Sequence, residues 1–138
     1  MAGEKDLQLL LRNMAPLQRD GVYVFTTHPD PDPQTLAAAI ATFREPEGIT
    51  CILPRAKADE WELSYTGLMA WITLQIHSSL EAVGLTAAVA TALAAEEISC
   101  NAVAAYYHDH LFVPLGDAPR ALEILRGLSA DHGAKTDL

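Results

Sequence analysis

The chain has 138 residues, half of them hydrophobic, and a formal net charge of −9. This length fits one ordinary domain or two very small ones, and the hydrophobic content excludes a disordered tail. The negative charge, with no basic patch in the sequence, argues against binding to the phosphate backbone of nucleic acid. No apolar run approaches the roughly 20 residues that cross a bilayer. The start, MAGEKDLQ, lacks a signal-peptide pattern, so we expect a soluble cytoplasmic protein that binds neither membrane nor nucleic acid.

The first half of the chain contains three predicted strands and two predicted short helices. Apolar, β-branched runs predict the strands, which are LQLLLR (7–12), GVYVFTT (21–27) and ITCILP (49–54). The helices are predicted over residues 37–43 and over RAKADEW (55–61). After the second strand, HPDPDPQ (28–34) alternates Asp and Pro, which favours an extended, turn-rich connection over a metal site.

The second half has a clearer pattern. AWITLQIH (70–77) alternates between apolar and polar residues, as a half-buried strand does. Residues 85–96 have a helical period, whose apolar face consists of Leu85, Ala88, Val89, Ala92 and Leu93. ISCNAVAAYY (98–107) and HLFVP (110–114) predict a hairpin. A second helix is predicted after the capping residue Asp117, with Pro119 in its first turn and an apolar stripe of Ala118, Ala121, Leu122, Leu125 and Leu128.

This order of elements predicts the fold class. Residues 70–128 read as strand, helix, strand, strand and helix, which lacks one strand of the βαββαβ pattern of a ferredoxin-like sandwich. The missing strand must come from elsewhere in the chain, and the first half contains candidates. The stretches GITC and EISC precede similar strands and hint at two related halves, of which the first is incomplete. We therefore predict an α+β chain with two such sandwiches.

The two cysteines, Cys51 and Cys100, are predicted to be core residues. Two cysteines cannot form a disulfide framework or a Cys-rich zinc site. Both lie in apolar, strand-like runs, and no activating base is next to either of them in the sequence. A catalytic thiol is therefore the weaker interpretation.

The stretch HSSLEAVGLTAAVATALAAEEISCNAVAAYYHDHLFVPLGDAPRALEIL resembles an ACT domain, a module that senses small molecules in amino-acid metabolism. The earlier stretch, LQLLLRNMAPLQRDGVYVFTT through TCILPR, resembles the N-terminal partner domain of small bacterial proteins with two tandem ACT domains, a family without an established function. The HDHLFVP turn and the SLEAVG loop also resemble segments of the ACT domains of aspartate kinases and of the animal cytosolic arginine sensor. In the arginine sensor, those segments line the ligand site. The resemblance implies an N-terminal ACT-like domain over residues 1–66 and a C-terminal ACT domain over residues 67–138.

The predicted topology gives the loop and the turn a shared location. The two strands of a βαβ unit run parallel, so the loop 78–84 and the turn 108–109 meet at one end of the sandwich. The helix that starts near Leu85 offers free backbone N–H groups there, which favour a carboxylate. Asp109, in the facing turn, is placed to bind an ammonium group. Together they match the backbone of a free amino acid.

The predicted ligand contacts all lie in this loop and turn. Glu81 would select a basic side chain, or it is only a solvated loop residue. The two serines would donate hydrogen bonds to the ligand or cap the turn. Asp109 and Gly84 also have a plain interpretation, because both residue types favour turns. The full predicted set is Ser78, Ser79, Glu81, Val83, Gly84, Leu85, His108 and Asp109.

A metal site is the main rival hypothesis. His108 and His110 are two residues apart, which on a strand puts both rings on one face. His77 ends the first strand at the same edge, so the three histidines with Asp109 would suit zinc or another divalent ion. A lone HxH pair is a weak signal, and we favour a turn in which Asp109 contacts the ligand.

We therefore predict a non-enzymatic regulatory module that binds a small molecule, in the first place an amino acid, without a cofactor. By resemblance to other ACT domains, it would form a homodimer and act through a protein partner that the sequence does not identify. Two alternatives remain: a metal-binding protein or enzyme that uses His77, His108 and His110, and a structural interaction domain that binds no ligand.

Overall fold

The chain folds into two compact α+β units in a computed structural model, which describes residues 6–76 and 84–136. One unit is Asp20–Ala70, and the other combines Met1–Arg19 with Trp71–Leu138. The helices are α1 (Leu7–Asn13), α2 (Pro33–Ala38), α3 (Arg55–Glu60), α4 (Leu85–Ala95) and α5 (Ala118–Thr136), with a short 3-10 helix at Leu115–Asp117. The strands are β1 (Pro16–Gln18), β2 (Tyr23–His28), β3 (Ala41–Glu45), β4 (Gly48–Pro54), β5 (Thr66–Leu74), β6 (Asn101–Ala104) and β7 (Asp109–Pro114).

The unit Asp20–Ala70 follows the βαββαβ order, from β2 to the first half of β5. Its strands lie in the order β3-β4-β2-β5, and the pairs β3–β4, β4–β2 and β2–β5 are antiparallel. This first sandwich, expected to be incomplete, has all six elements, but its two helices are only six residues each. Its core consists of Val24, Cys51, Leu53 and Ala58, which puts Cys51 in the core as predicted.

The second unit obtains its fourth strand from the N-terminal segment. The second half of β5 is followed by α4, β6, β7 and α5, which accounts for five of the six elements. The missing strand is β1, whose residues Pro16–Gln18 pair antiparallel with β5 at Leu74, Thr73 and Ile72. The strand order is then β1-β5-β7-β6. The first half does supply this strand, as expected, but β1 is none of the three strands predicted there.

Two predictions for the first half were wrong. LQLLLR forms helix α1 rather than a strand, because its leucines have helical spacing and Asp6 Oδ1 accepts bonds from the backbone N–H groups of Gln8 and Leu9 at the helix start. The helix predicted over 37–43 begins earlier, at Pro33, and ends at Ala38. The following residues Ala41–Glu45 instead pair with β4 as an edge strand.

The second half follows its predicted order more closely. Helix α4 buries Leu85, Val89 and Leu93, as its period predicts. The predicted hairpin is present, although β6 is shorter than the predicted strand 98–107. The predicted domain boundary between residues 66 and 67 falls inside β5. The compact units are divided differently, because residues 1–19 group with residues 71–138. The boundary between the two ACT repeats therefore stays a prediction.

The N-terminal segment is anchored in the core of the second unit. Helix α1 contacts both α4 and α5. Leu10 and Leu11 of α1 are buried. The hydroxyl of Ser129, on α5, donates a 2.9 Å bond to the carbonyl of Arg12. These contacts make residues 6–19 a structural part of the C-terminal sandwich.

The substitution Leu10→Ala should therefore lower the free energy of unfolding by about 2–5 kcal/mol, the usual cost of a cavity in a well-packed core. The loss should match that of Leu125→Ala on α5, since both side chains are fully buried. Leu36, which is 43% exposed, provides the control, and Leu36→Ala should cost about 0.5 kcal/mol or less. Urea denaturation checks this. A Leu10→Ala variant as stable as Leu36→Ala would contradict the assignment of α1 to this core.

Candidate functional site

Several chain segments meet at one edge of the second sheet. The Trp71 ring stacks on Phe112 with centroids 6.2 Å apart, while Thr73, two residues later, reaches back to His110. Strands β5 and β7 therefore run in opposite directions. Since β6 is also antiparallel to β7, β5 and β6 end at the same edge, where β7 begins. Helix α4 connects β5 to β6 and starts at this edge as well.

The hairpin turn 105–108 orients the residues that start β7. The backbone N–H of Ala105 donates a 3.0 Å bond to the carbonyl of His108 and closes the turn. Side chains alternate along a strand, so His108 and His110 share one face, with ring centroids 6.3 Å apart. Asp109 lies on the other face, with the buried Leu111 and Val113, which is the face covered by the helices. The turn thus separates the aspartate from the two histidines.

Asp109 is an unusual carboxylate, because only 7% of the residue is exposed. Burial raises its pKa above the ordinary value, and the charge of His108 lowers it by a smaller amount. No side chain or backbone N–H in residues 6–76 and 84–136 donates a hydrogen bond to the carboxylate. Raised carboxyl pKa values of this kind are common at functional sites, where burial is tolerated for a purpose.

Helix α4 starts at this edge without a side-chain cap. Its N-cap is Gly84, which has a left-handed backbone (φ 101°) and makes no side-chain hydrogen bond. Gly84 therefore supplies no side chain to the first N–H groups of the helix, and such groups favour a negatively charged partner. A Cβ at position 84 would also lie 3.1 Å from Leu7 Cδ2. Glycine is thus required by the backbone angle and by the contact with α1.

Comparison with known proteins agrees with this architecture. Sequence models of the ACT domain match residues 2–70 and residues 69–127. The chain belongs to the ACT domain family. ACT domains are typically regulatory modules that respond to small molecules. The predicted α+β fold with two ACT-type sandwiches is confirmed.

Several solved structures have a similar fold. A Vibrio cholerae protein of unknown function, described as a possible transport protein, shares 48% identity, with a TM-score of 0.81 over 91% of this chain and 97% of that one. Protein Atu0741 from Agrobacterium tumefaciens shares 15% identity, with a TM-score of 0.70 and coverage of 85% and 90%. The regulatory subunit of aspartate kinase from Thermus flavus shares 14% identity, with a TM-score of 0.59 and coverage of 84% and 96%. No curated protein matches the sequence.

The structure describes only part of the predicted ligand set. Gly84, His108 and Asp109 lie at the edge defined above, whereas Leu85 is buried in the core of the second ACT domain. The other predicted contacts are Ser78, Ser79, Glu81 and Val83, and they lie outside the described residues. So does His77 of the metal hypothesis.

Within residues 6–76 and 84–136, no helix has the length and apolar content to cross a membrane.

A polar network on the opposite face of the second ACT sheet was missed by the sequence analysis. Trp71 Nε1 donates a 3.0 Å bond to His110 Nδ1, and Thr73 Oγ1 lies 3.0 Å from the same nitrogen. Thr73 Oγ1 also accepts a 3.1 Å bond from Arg19 Nε, so the hydroxyl proton is available for His110. The strand alternation of β5 predicts that Trp71 and Thr73 share a face, but no local pattern connects them to Arg19.

This network determines the state of His110. Its Nδ1 accepts hydrogen bonds, so the ring proton of the neutral imidazole is on Nε2. Burial lowers the pKa of His110, and the charges of His108 and Arg19 lower it further. Nδ1 is therefore not available to a metal ion. No group of three or more metal-binding side chains occurs in the described part of the chain, and the metal hypothesis, which also uses His77, stays a prediction.

The ligand-free protein should become more stable at pH 7 when Asp109 is replaced by Asn. A carboxyl group with a raised pKa in the folded state costs stability above that pKa, and the cost is absent below its ordinary value in the unfolded chain. The gain in Tm should therefore shrink as the pH falls through the folded-state pKa and vanish below about pH 3.9. Thermal unfolding across this range checks it, with Glu123→Gln on the exposed side of α5 as the control. An Asp109→Asn variant that is less stable at pH 7 would contradict the burial cost.

Gly84→Ala should lower the free energy of unfolding by about 1–2 kcal/mol, because alanine does not favour a φ of 101° and its Cβ would crowd Leu7. Gly127 is a matched control, since it lies inside α5 with nothing near its Cβ position. Gly127→Ala should stabilise the protein by about 0.5–1 kcal/mol through helix propensity. Chemical denaturation of both variants compares them. Equal effects of the two substitutions would mean that the conformation of Gly84 is not required.

Proposed function

We propose that the C-terminal ACT domain is a non-enzymatic regulatory module that binds a free amino acid. The observation that carries this proposal is Asp109, a buried carboxylate with a raised pKa at the sheet edge where α4 starts after Gly84. A cation at this position would recover the energy that burial of the carboxylate costs. The aspartate kinase regulatory subunit from Thermus flavus has a similar fold, which agrees with a regulatory role.

In this proposal the two ends of the amino acid backbone bind to opposite partners. The ammonium group binds Asp109 through a charge-assisted hydrogen bond. The carboxylate binds at the first turn of α4, where backbone N–H groups and the helix dipole favour negative charge. The residues Ser78, Ser79, Glu81 and Val83 of the connecting loop would complete the site, with Glu81 selecting a basic side chain.

The proposed output is a shift between conformations. An amino acid bound between the loop and the turn would favour one of two packing arrangements of the ACT domains. The size of this shift is set by the difference between the ligand's affinities for the two arrangements. We further propose that the protein is cytoplasmic, forms a homodimer and transmits the signal to a separate protein partner. Binding of the amino acid would need no cofactor, because no covalent bond is made or broken.

A ligand-free interaction domain is the second candidate. One observation favours it, namely that Leu7 packs against Gly84, so the glycine has a purely structural explanation. Asp109 would then be only a turn residue at the start of β7. This candidate predicts the same fold and stability but no response to amino acids.

A thermal-shift screen of the metal-free protein against the common amino acids distinguishes the two candidates. A ligand at about 100 times its Kd adds about 2.7 kcal/mol of stability, which raises Tm by roughly 5–10 °C. We expect such a rise with one amino acid or one chemical class. In Asp109→Asn the affinity should fall at least about tenfold through loss of the charge-assisted bond, whereas Glu123→Gln should keep it.

Two results would count against the proposal. A flat screen with the amino acids would favour the interaction domain, and a search for a protein partner would follow. A rise that Asp109→Asn leaves unchanged would place the ligand elsewhere. A parallel screen with zinc and nickel tests the metal hypothesis, for which a rise with the ion alone is expected.

A further inference from the structure

We propose that the C-terminal ACT domain has a separate binding site for a carboxylate-bearing ligand, formed by Arg19, His108 and His110 on the sheet face opposite the helices. This site goes beyond the proposed amino acid site, because Asp109 and the start of α4 lie on the other side of the sheet. Only His108 also belongs to the predicted amino acid ligand set, and the role of Arg19 can be tested independently.

Arg19 is held in place from three directions. Its backbone N–H donates a 2.8 Å bond to the carbonyl of Trp71. Its Nε donates a 3.1 Å bond to Thr73 Oγ1, and its guanidinium carbon lies 5.5 Å from the centre of the Trp71 ring. These contacts fix the guanidinium before any ligand arrives, so little side-chain entropy remains to be lost on binding.

The terminal nitrogens of Arg19 are the groups that would bind the ligand. They make no hydrogen bond or ion pair with any residue in 6–76 and 84–136, whereas Arg55, Lys57 and Arg120 each pair with a carboxylate. This is notable in a chain with 18 acidic and 9 basic residues, where a carboxylate partner would be easy to supply. A fixed guanidinium with two free nitrogens has the geometry that binds a carboxylate through two parallel bonds.

The surroundings of His110 add positive potential. The groups that face it are Arg19 after β1, Trp71 and Thr73 on β5, and His108 beside it on the hairpin. Its cross-strand neighbour on β6 is the uncharged Val103, and the adjacent Asp109 is on the opposite face. The charges of His108 and Arg19 lower the pKa of His110, which means that both act on its ring. The N–H at Nε2 of His110 has no partner among the described residues and is free to donate to an anion.

The observations favour a carboxylate over a phosphate. A planar carboxylate matches the guanidinium fork, and its single charge is repelled less than a doubly charged phosphate by a protein with a net charge of −9.

NMR titration with sodium acetate at constant ionic strength tests the site. The reporters are the ring signals of His108 and His110 and the indole N–H of Trp71. We expect saturable shifts in all three. Inorganic phosphate should bind more weakly, and sodium chloride should give no saturable change.

Substitutions identify the residue responsible. Arg19→Gln should weaken acetate binding at least about tenfold, and Arg19→Lys, which keeps the charge and most of the packing, should weaken it several-fold. Arg126→Gln, on the exposed side of α5, is the control and should bind as the wild type does. Asp109→Asn should also leave acetate binding unchanged, so failure of this site is distinguishable from failure of the amino acid site.

Three outcomes would overturn the proposal. Shifts that do not saturate, or that persist unchanged in Arg19→Gln, would be a general salt effect. Phosphate binding that is tighter than acetate binding would contradict the carboxylate assignment. Saturable shifts that leave the ring signals of His110 unchanged would exclude His110 from the site.

Discussion

The pairing of β1 with β5 is the contact on which the second ACT domain depends. Without Pro16–Gln18, the sheet of that domain would lack one of its strands and expose the backbone of β5. The same N-terminal segment places α1 against α4 and α5, and its Leu7 lies against Gly84, where α4 begins. Arg19, which directly follows β1, reaches Thr73. Both proposed sites therefore depend on a segment that is far from them in the sequence.

This arrangement explains which parts of the fold were predictable. Helix α4 and the β6–β7 hairpin are stabilised by local patterns, a helical period in one case and alternation with a short turn in the other, and both were predicted. The run of leucines in α1 is too short for its period to distinguish a helix from a strand. The N-cap Asp6 is the signal in this segment that indicates a helix. Strand β1 has three residues and no periodicity, so only its pairing with β5 identifies it.

The candidate site was predictable to a similar extent. The βαβ topology correctly brought Gly84 and Asp109 to one edge, because the direction of parallel strands follows from a general rule. Sequence alone could not show that Asp109 is buried, since burial depends on packing of the whole domain. It also could not show the bond between Trp71 and His110, which joins residues 39 positions apart. The cluster around Arg19 was missed for the same reason.

The alternation of β7 gives its neighbouring polar residues different environments. Asp109 faces the helices, where burial disfavours its negative charge. His110 faces Arg19, and burial together with the charges of His108 and Arg19 disfavours a positive charge on its ring. Each group is therefore held in a setting that an oppositely charged ligand would relieve. One strand thus presents a potential cation seat on one side and a potential anion seat on the other.

The pKa of Asp109, measured from its carboxyl carbon by NMR with and without amino acids, tests the central claim most directly. The account predicts a value above the ordinary one in the ligand-free protein. It also predicts a fall of about one unit or more when the amino acid that binds is saturating, because the ammonium group stabilises the ionised carboxylate. An ordinary pKa without ligand, or a raised pKa that no amino acid changes, would contradict the role assigned to Asp109.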